Sequence, residues 1–380
     1  GVAWFPVASV LWVFAPEAEL LIAGRVLQGI GGALLTPGSL ALIQATLIPA
    51  DRARAIGVWS AWTGVAAAIG PFLGGWLVQV ASWRWVFWIN LPLAAAVVVV
   101  TLRHVPESRA PADHSRFDLP GAALGALGLG GVTYALIEGG WTPTVVGLAG
   151  IAAFLAVERL RRHPMLPLGL FADRTFTAAN LVTLVVYGSL GALMFLLVLQ
   201  LQAVSGYTPL QAGLVMVPFT VLMLLFSSRS GALATRIGPR LQMTVGPLVS
   251  AAGVLWLRRV STEASYIVDV LPGVLLFGGG MTLLVAPLTA SVLAAVDDAR
   301  AGVASGVNNA IARAASLLAV AALPALVGLS GDDYEQPAVF DAGYGEAMLW
   351  CAGLLLAGSL ASVVVLPRHV DLERDPEPVE

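Results

Sequence analysis

Lysine is absent from this chain: every one of its 20 basic residues is arginine. Charge of either sign is scarce, at 11% of residues, where a soluble domain carries roughly 25%. So few charges cannot cover a water-facing surface, and the soluble globular classes are excluded. The net charge of −3 removes nucleic acid as a partner, because that role needs a basic face. Cysteine is reduced to Cys351, inside an apolar run. A disulfide framework or a cysteine metal cluster within one chain is therefore excluded. The four histidines, His104, His114, His163 and His369, are too scattered for a metal site. Without lysine there is no Gly-x-x-x-x-Gly-Lys phosphate loop, so no ATP site is expected. No catalytic constellation, metal or other cofactor is expected, and the chain reads as a non-enzyme.

What the sequence has in quantity is apolar run: 58% of its residues are hydrophobic. A helix needs about 20 apolar residues to cross the hydrocarbon. Spans are expected at 1–15, 19–47, 55–80, 84–103, 118–138, 143–158, 176–203, 209–228, 241–260, 267–290, 301–329 and 343–366. The chain opens on Gly1 inside an apolar run, with no charged n-region and no cleavage site, so a signal peptide is not expected. It reads as a chain cut at its front. Arginines favour cytoplasmic loops. Placing both ends in the cytoplasm puts most arginines inside and leaves Arg84, Arg258 and Arg259 outside. The all-arginine, Ala-, Gly- and Val-rich composition points to a GC-rich bacterial genome, hence a multi-pass protein of a bacterial plasma membrane. The polar stretches 104–117 and 159–175 divide the chain into four spans, two spans and six spans.

Polar groups inside spans are costly and mark function by default. Arg25, with Gln28 and Gly29 behind it, is the clearest. It reads either as an arginine paired to a carboxylate that titrates or as a snorkelling end residue. No carboxylate deep within a span is available to it. Asn308, Asn309 and Arg313 read as a polar contact between helices rather than a transport site. Trp59, Trp62, Asn90, Asn180, Tyr187, Gln200 and Gln202 are further polar or aromatic candidates. Trp59, Trp62, Asn180 and Tyr187 are proposed to line a substrate cavity, where rings can hold apolar cations; interface packing is the plainer alternative.

Residues 64–75 read Gly-Val-Ala-Ala-Ala-Ile-Gly-Pro-Phe-Leu-Gly-Gly. Ala66, Gly70 and Gly74 share one helix face, which lets a second helix approach closely. Pro71 removes a backbone donor and is expected to bend the helix. The stretch 231–241, Gly-Ala-Leu-Ala-Thr-Arg-Ile-Gly-Pro-Arg-Leu, brings Arg236 and Arg240 beside Gly238 in a cytoplasmic turn.

These motifs resemble the major facilitator superfamily, and within it the fourteen-span drug:proton antiporters. Gly64, Ala66, Gly70, Pro71, Gly74 and Gly75 fit the antiporter signature g-x-a-x-g-x-G-P-x-x-G-G, with Ala68 replacing a glycine. Arg25, Gln28, Gly29, Gly31, Gly32 and Ala33 are similar to the fourth-helix motif R-x-x-q-G-x-g-a-A. Gly231, Leu233, Ala234, Arg236, Gly238 and Arg240 resemble the cytoplasmic loop motif, with Thr235 where aspartate is usual. Trp83-Arg84-Trp85, Asn90-Leu-Pro92 and Tyr207–Gly213 are also family-like.

The resemblance implies an all-α membrane protein of the superfamily fold, with about twelve of fourteen transmembrane helices present and the first two lacking. It implies an incomplete N-terminal bundle over 1–104, two extra spans and linkers over 105–175, a six-helix C-terminal bundle over 176–367 and a tail over 368–380. It implies proton-coupled efflux of hydrophobic or cationic molecules, including antibiotics, by a monomer in the bilayer. Arg25 and Gln28 would serve proton coupling, and Gly64, Gly70, Pro71, Gly74 and Gly75 the gating helix. Gly231, Arg236, Gly238 and Arg240 would form the loop latch. The alternatives are an exporter of one specific metabolite and a truncated, non-transporting membrane protein.

Overall fold

The computed structural model describes residues 4, 8–10, 20–32, 66, 69–70, 72–104, 118–161, 164–296 and 300–366. Gly64, Pro71, Trp59 and Trp62 lie outside them. Among the described residues there are helices, turns and no strand, the only class apart from closed barrels that satisfies its backbone within lipid. Among the described residues, eight helices are long and apolar enough to cross a membrane. The span expected at 241–260 is also helical, with the polar residues Arg240 and Gln242 in its first turn.

Contacts divide the chain into two compact units, residues 1–114 with 208–214, and residues 115–207 with 215–380. In the first, α1 is Leu20–Gly32, α2 covers 72–80, a single turn covers Trp85–Trp88, and α3 is Asn90–His104. The Trp4 indole donates to the Leu27 carbonyl at 3.0 Å, tying the first stretch to α1.

The second unit begins with a helical hairpin. α4 (Leu119–Glu138) starts on Asp118, whose side chain accepts from the Gly121 N–H, with Pro120 in the first turn. It ends on Gly139 and Gly140, at φ 74° and 95°, a backbone region that residues with a Cβ rarely adopt. α5 (Trp141–Leu160) returns along it. Lipid supplies no hydrophobic drive between helices, so small residues that permit close approach hold them. A Cβ on Gly128 would lie 2.7 Å from the Ile151 nitrogen, and one on Gly131 2.7 Å from the Gly147 Cα.

Six further helices follow: α6 (Arg174–Leu199), α7 (Val217–Ile237), α8 (Pro239–Leu257), α9 (Leu271–Ala294), α10 (Ala301–Leu326) and α11 (Pro337–Val365). α6 packs between α10 and α11, α8 between α9 and α11, and α7 against α9; α4 lies against α10. Phe176, Leu193, Met243, Phe277, Phe340 and Tyr344 are fully buried among them. α6 is capped by Asp173, which accepts from the Phe176 N–H at 2.9 Å.

At the far end, α6 opens into a π-helical turn, Gln200–Val204. Gln200 is completely buried and donates to the Val260 carbonyl (2.9 Å) and to Asp341. Ser261 donates to the other oxygen of Asp341 at 3.0 Å. One glutamine thus joins the ends of α6, α8 and α11. Gln200→Leu is expected to destabilise the bundle by about 1–3 kcal/mol, the cost of stranding buried acceptors. A lower melting temperature in detergent would register it, with Gln202→Leu as the exposed control.

Candidate functional site

The polar groups of the first unit converge on one hydroxyl. α1 sets Arg25, Gln28, Gly29 and Gly32 on nearby faces, following the three- and four-residue spacing of a helix. Arg25 Nη1 donates to Gln28 Oε1 at 3.0 Å. Gln28 Nε2 donates to Ser9 Oγ at 3.1 Å, and Asn90 Nδ2, at the start of α3, reaches the same oxygen at 3.5 Å. The Arg25 guanidinium lies 5.1 Å from the centre of the Phe87 ring, within cation–π range. Gln28 and Ser9 are buried, at 6% and 0% exposure, while Arg25 faces outward.

This arrangement fixes what Arg25 does chemically. A guanidinium does not deprotonate in a protein, so Arg25 is not itself a proton carrier. Stacked on one ring and oriented by one amide, it presents a permanent, aimed positive charge. Ser9 and Phe87 were not among the sequence candidates: a lone serine in an apolar run and one more aromatic beside Trp85 carry no local signal.

Along α2, a Cβ on Gly75 would lie 2.6 Å from the Pro209 carbonyl oxygen and 2.9 Å from the Leu210 Cα, so backbone touches backbone there. A Cβ on Gly70 or Gly74 meets nothing within 4 Å. The described close approach on this stretch is at Gly75, against the backbone of residues 209–210; among the described residues Gly70 and Gly74 show none.

Residues 231–241, expected as a cytoplasmic loop, are helical on both sides of Gly238: α7 runs to Ile237 and α8 begins at Pro239, so the junction is a single residue. Gly238 has φ 82° and closes α7 by donating its N–H to the Ala234 carbonyl at 2.9 Å. Arg240 reaches the Val363 carbonyl of α11, whereas Arg236 is exposed. Thr235, at the usual aspartate position, turns back to the Ala232 carbonyl (3.0 Å). Ser230 and Gln242 make the ties between helices instead: Ser230 donates to the Leu283 carbonyl and Gln242 to Ser230. A Cβ on Gly231 would be in ordinary contact, 3.6 Å from the Ala286 Cβ.

Asn180 is buried and faces α10. It accepts from Asn308 Nδ2 at 3.0 Å, and the same amide reaches Thr183 Oγ at 2.7 Å. Tyr187 offers its backbone carbonyl to Ser316 (2.8 Å). A chamber of about 610 Å³ in this unit is lined by other residues, among them Thr133, Glu138, Phe195, Leu317 and Tyr334. In the turn before 208, burial and then the charge of Asp269 push the Tyr207 phenol up, so it remains a donor to the Ala264 carbonyl (3.0 Å).

Residues 1–320 match the sequence profile of the Major Facilitator Superfamily. The chain belongs to that superfamily. Among its relatives, the multidrug resistance protein Stp of Mycobacterium tuberculosis is 37% identical over 82% of this chain. The chain spans 59% of that protein's length. The methylenomycin A resistance protein of Bacillus subtilis is 33% identical, over 96% of this chain and 78% of the relative. The puromycin resistance protein pur8 of Streptomyces alboniger is 32% identical, over 98% and 78%. Of solved structures, an auto inhibited peptide transporter of the POT family superposes with a TM-score of 0.68 at 17% identity, covering 96% of this chain and 81% of that one. This superfamily chain is a multi-pass membrane protein with the superfamily fold.

Proposed function

We propose that this chain exports hydrophobic or cationic small molecules in exchange for protons, by alternating access between helix bundles. The observation that carries the reading is the Arg25–Gln28–Ser9–Asn90 chain, with Arg25 stacked on Phe87. An ionisable side chain within an apolar helix is a functional candidate by default, and in this reading Arg25 faces a group that titrates during the cycle. Relatives bearing the names of multidrug and antibiotic resistance proteins support the substrate class. In this reading, residues 1–104 belong to one bundle and 176–367 to the other, with 105–175 between them and 368–380 as the tail. Both ends face the cytoplasm of a bacterial plasma membrane, and the working unit is a monomer. Gly64–Gly75 forms the gate, residues 231–240 the latch, and Trp59, Trp62, Asn180 and Tyr187 contact substrate.

The test uses inverted membrane vesicles containing the protein and a panel of fluorescent cations. Imposing an acid interior should drive dye uptake, and collapsing the pH gradient should stop it. Dye movement that ignores the gradient would refute proton coupling. A second reading, export of one metabolite, is favoured by relatives named for single antibiotics, methylenomycin A and puromycin. It predicts accumulation of one compound of the panel and indifference to the rest.

A further inference from the structure

Two carboxylates are buried at the base of the α4–α5 hairpin. Asp118, the N-cap of α4, uses Oδ1 twice: it accepts from the Gly121 N–H at 2.9 Å and from Arg161 Nη1 at 2.8 Å. Glu158, in the last turn of α5, uses Oε2 to accept from the Leu166 N–H at 2.7 Å. Asp118 is 6% exposed and Glu158 2%. The second oxygen of each, Asp118 Oδ2 and Glu158 Oε1, is sealed from solvent and has no hydrogen-bond donor. Both orphaned oxygens flank one point. A Cβ on Gly121 would lie 2.5 Å from Glu158 Oε1 and 2.7 Å from Asp118 Oδ2.

As drawn with both acids ionised, the site holds two negative charges and one positive, Arg161. Arg161 pairs with Asp118 Oδ1 rather than with either orphaned oxygen. Buried carboxylates sharing a site do not both ionise readily. One proton on either acid makes it a donor to the other. Placed between Oδ2 and Oε1, that single proton would give each orphaned oxygen a partner and leave one carboxylate opposite one guanidinium.

We propose that Asp118 and Glu158 form a proton-binding site that holds one proton between Oδ2 and Oε1. The other charged groups on the surrounding elements are Glu138 at the far end of α4, Arg159 on α5, Asp173 and Arg174 at the start of α6, and Arg300 and Arg313 on the α10 side. Arg162 and His163 follow Arg161 in sequence and lie outside the described residues. Segment 164–172 carries no charge of its own. Its backbone is tied to the hairpin through Glu158 and Leu166, so losing the proton sets two anions against each other where that tie is made. The proposal stands apart from Arg25 and from any transport activity.

The test is infrared difference spectroscopy of the purified protein in lipid, titrated through neutral pH. A protonated-carboxyl band is expected near neutrality in the wild type. It should vanish in both Glu158→Gln and Asp118→Asn, and persist in His163→Gln. A band that survives both acid substitutions overturns the proposal. So does the absence of any such band in the wild type near neutrality, a result that needs no variant to fold. Sodium titration is the competing arm: a wild type without the band, whose infrared carboxylate signal shifts with sodium, would mean that a small cation fills the site instead. Hydrogen exchange at the Leu166 amide, corrected for its intrinsic pH dependence, should quicken as the wild-type band titrates away. It should stay flat in Glu158→Gln, whose neutral amide still donates to Asp118; equal pH dependence in the two proteins overturns the tie.

Discussion

Arg25→Ala is expected to reduce proton-driven dye accumulation roughly 100-fold while leaving the protein folded and inserted. The reasoning is local. The substitution removes a charge-assisted hydrogen bond to Gln28 and a cation–π contact with Phe87. These two contacts are each worth about 1 kcal/mol or less at an exposed site; the roughly 100-fold loss, about 2.8 kcal/mol at about 1.4 kcal/mol per tenfold, is assigned instead to the missing charge. Because Arg25 is exposed on its unit, its loss opens no buried cavity, and thermal stability should change little. Arg25→Lys separates charge from geometry. A lysine keeps the charge but lacks the planar fork, so accumulation should fall between wild type and alanine. The decisive comparison is with dye-for-dye exchange in the absence of a pH gradient. A coupling residue leaves exchange intact, since exchange moves no net proton. If Arg25→Ala loses exchange and accumulation equally, the arginine is a packing or substrate residue and the coupling role falls. Gln28→Leu should give a milder form of the same phenotype, because it removes the amide that joins Arg25 to Ser9 without removing the charge.

Arg25 and Gln28 were legible because an ionisable side chain inside an apolar run has few inexpensive explanations. Ser9 was not legible, because a serine in a helix can return its hydroxyl to its own backbone and needs no distant partner. The end of α7 shows the same limit. Ser227, Ser228 and Arg229 look like the close of an apolar span, yet the helix runs on to Ile237. Its polar groups are met across helices and along its own surface: Ser230 donates to the Leu283 carbonyl, and Arg229 lies over Phe226 at 5.4 Å. The beginning of α11 is likewise earlier than its apolar run, at Pro337 rather than 343. Asp341 is drawn into the helix by Gln200 and Ser261, partners far away in sequence. The glycine pattern at 64–75 marked a helix suited to close approach, but its neighbour is set by tertiary packing, which placed the described contact at Gly75. The Asp118–Glu158 pair was invisible in sequence for the same reason, since the fold of the hairpin brings the two acids over Gly121.

Gly253→Val is expected to abolish folding of the second unit. α8 and α9 meet through glycines on both sides. A Cβ on Gly246 would sit 2.7 Å from the Gly280 carbonyl oxygen. One on Gly253 would lie 2.7 Å from the Gly273 oxygen, 3.0 Å from the Phe277 Cα, and closer still to the Phe277 nitrogen. Every one of these obstacles is backbone, so no rotamer change relieves the clash and the helices must separate. Overpacking a core commonly costs about 1–3 kcal/mol. Here the cost lies above that range, because separation also strips the contacts along the whole seam, including the Ser250 hydroxyl bond to the Phe277 carbonyl at 3.1 Å. In lipid those contacts are what holds two helices together, since the tails around them are equally apolar. The seam is also central: α8 carries α11, and α9 carries α7. The control lies on the partner helix, α9. Gly279 has nothing within 4 Å of its would-be Cβ, so Gly279→Val should express as a monodisperse species with a near-normal melting temperature. Both variants remove one glycine and add the same side chain to the bundle, so helix propensity cannot separate them. A folded, thermally normal Gly253→Val would mean that the α8–α9 seam tolerates separation, and with it that close backbone contact is not what stabilises this unit.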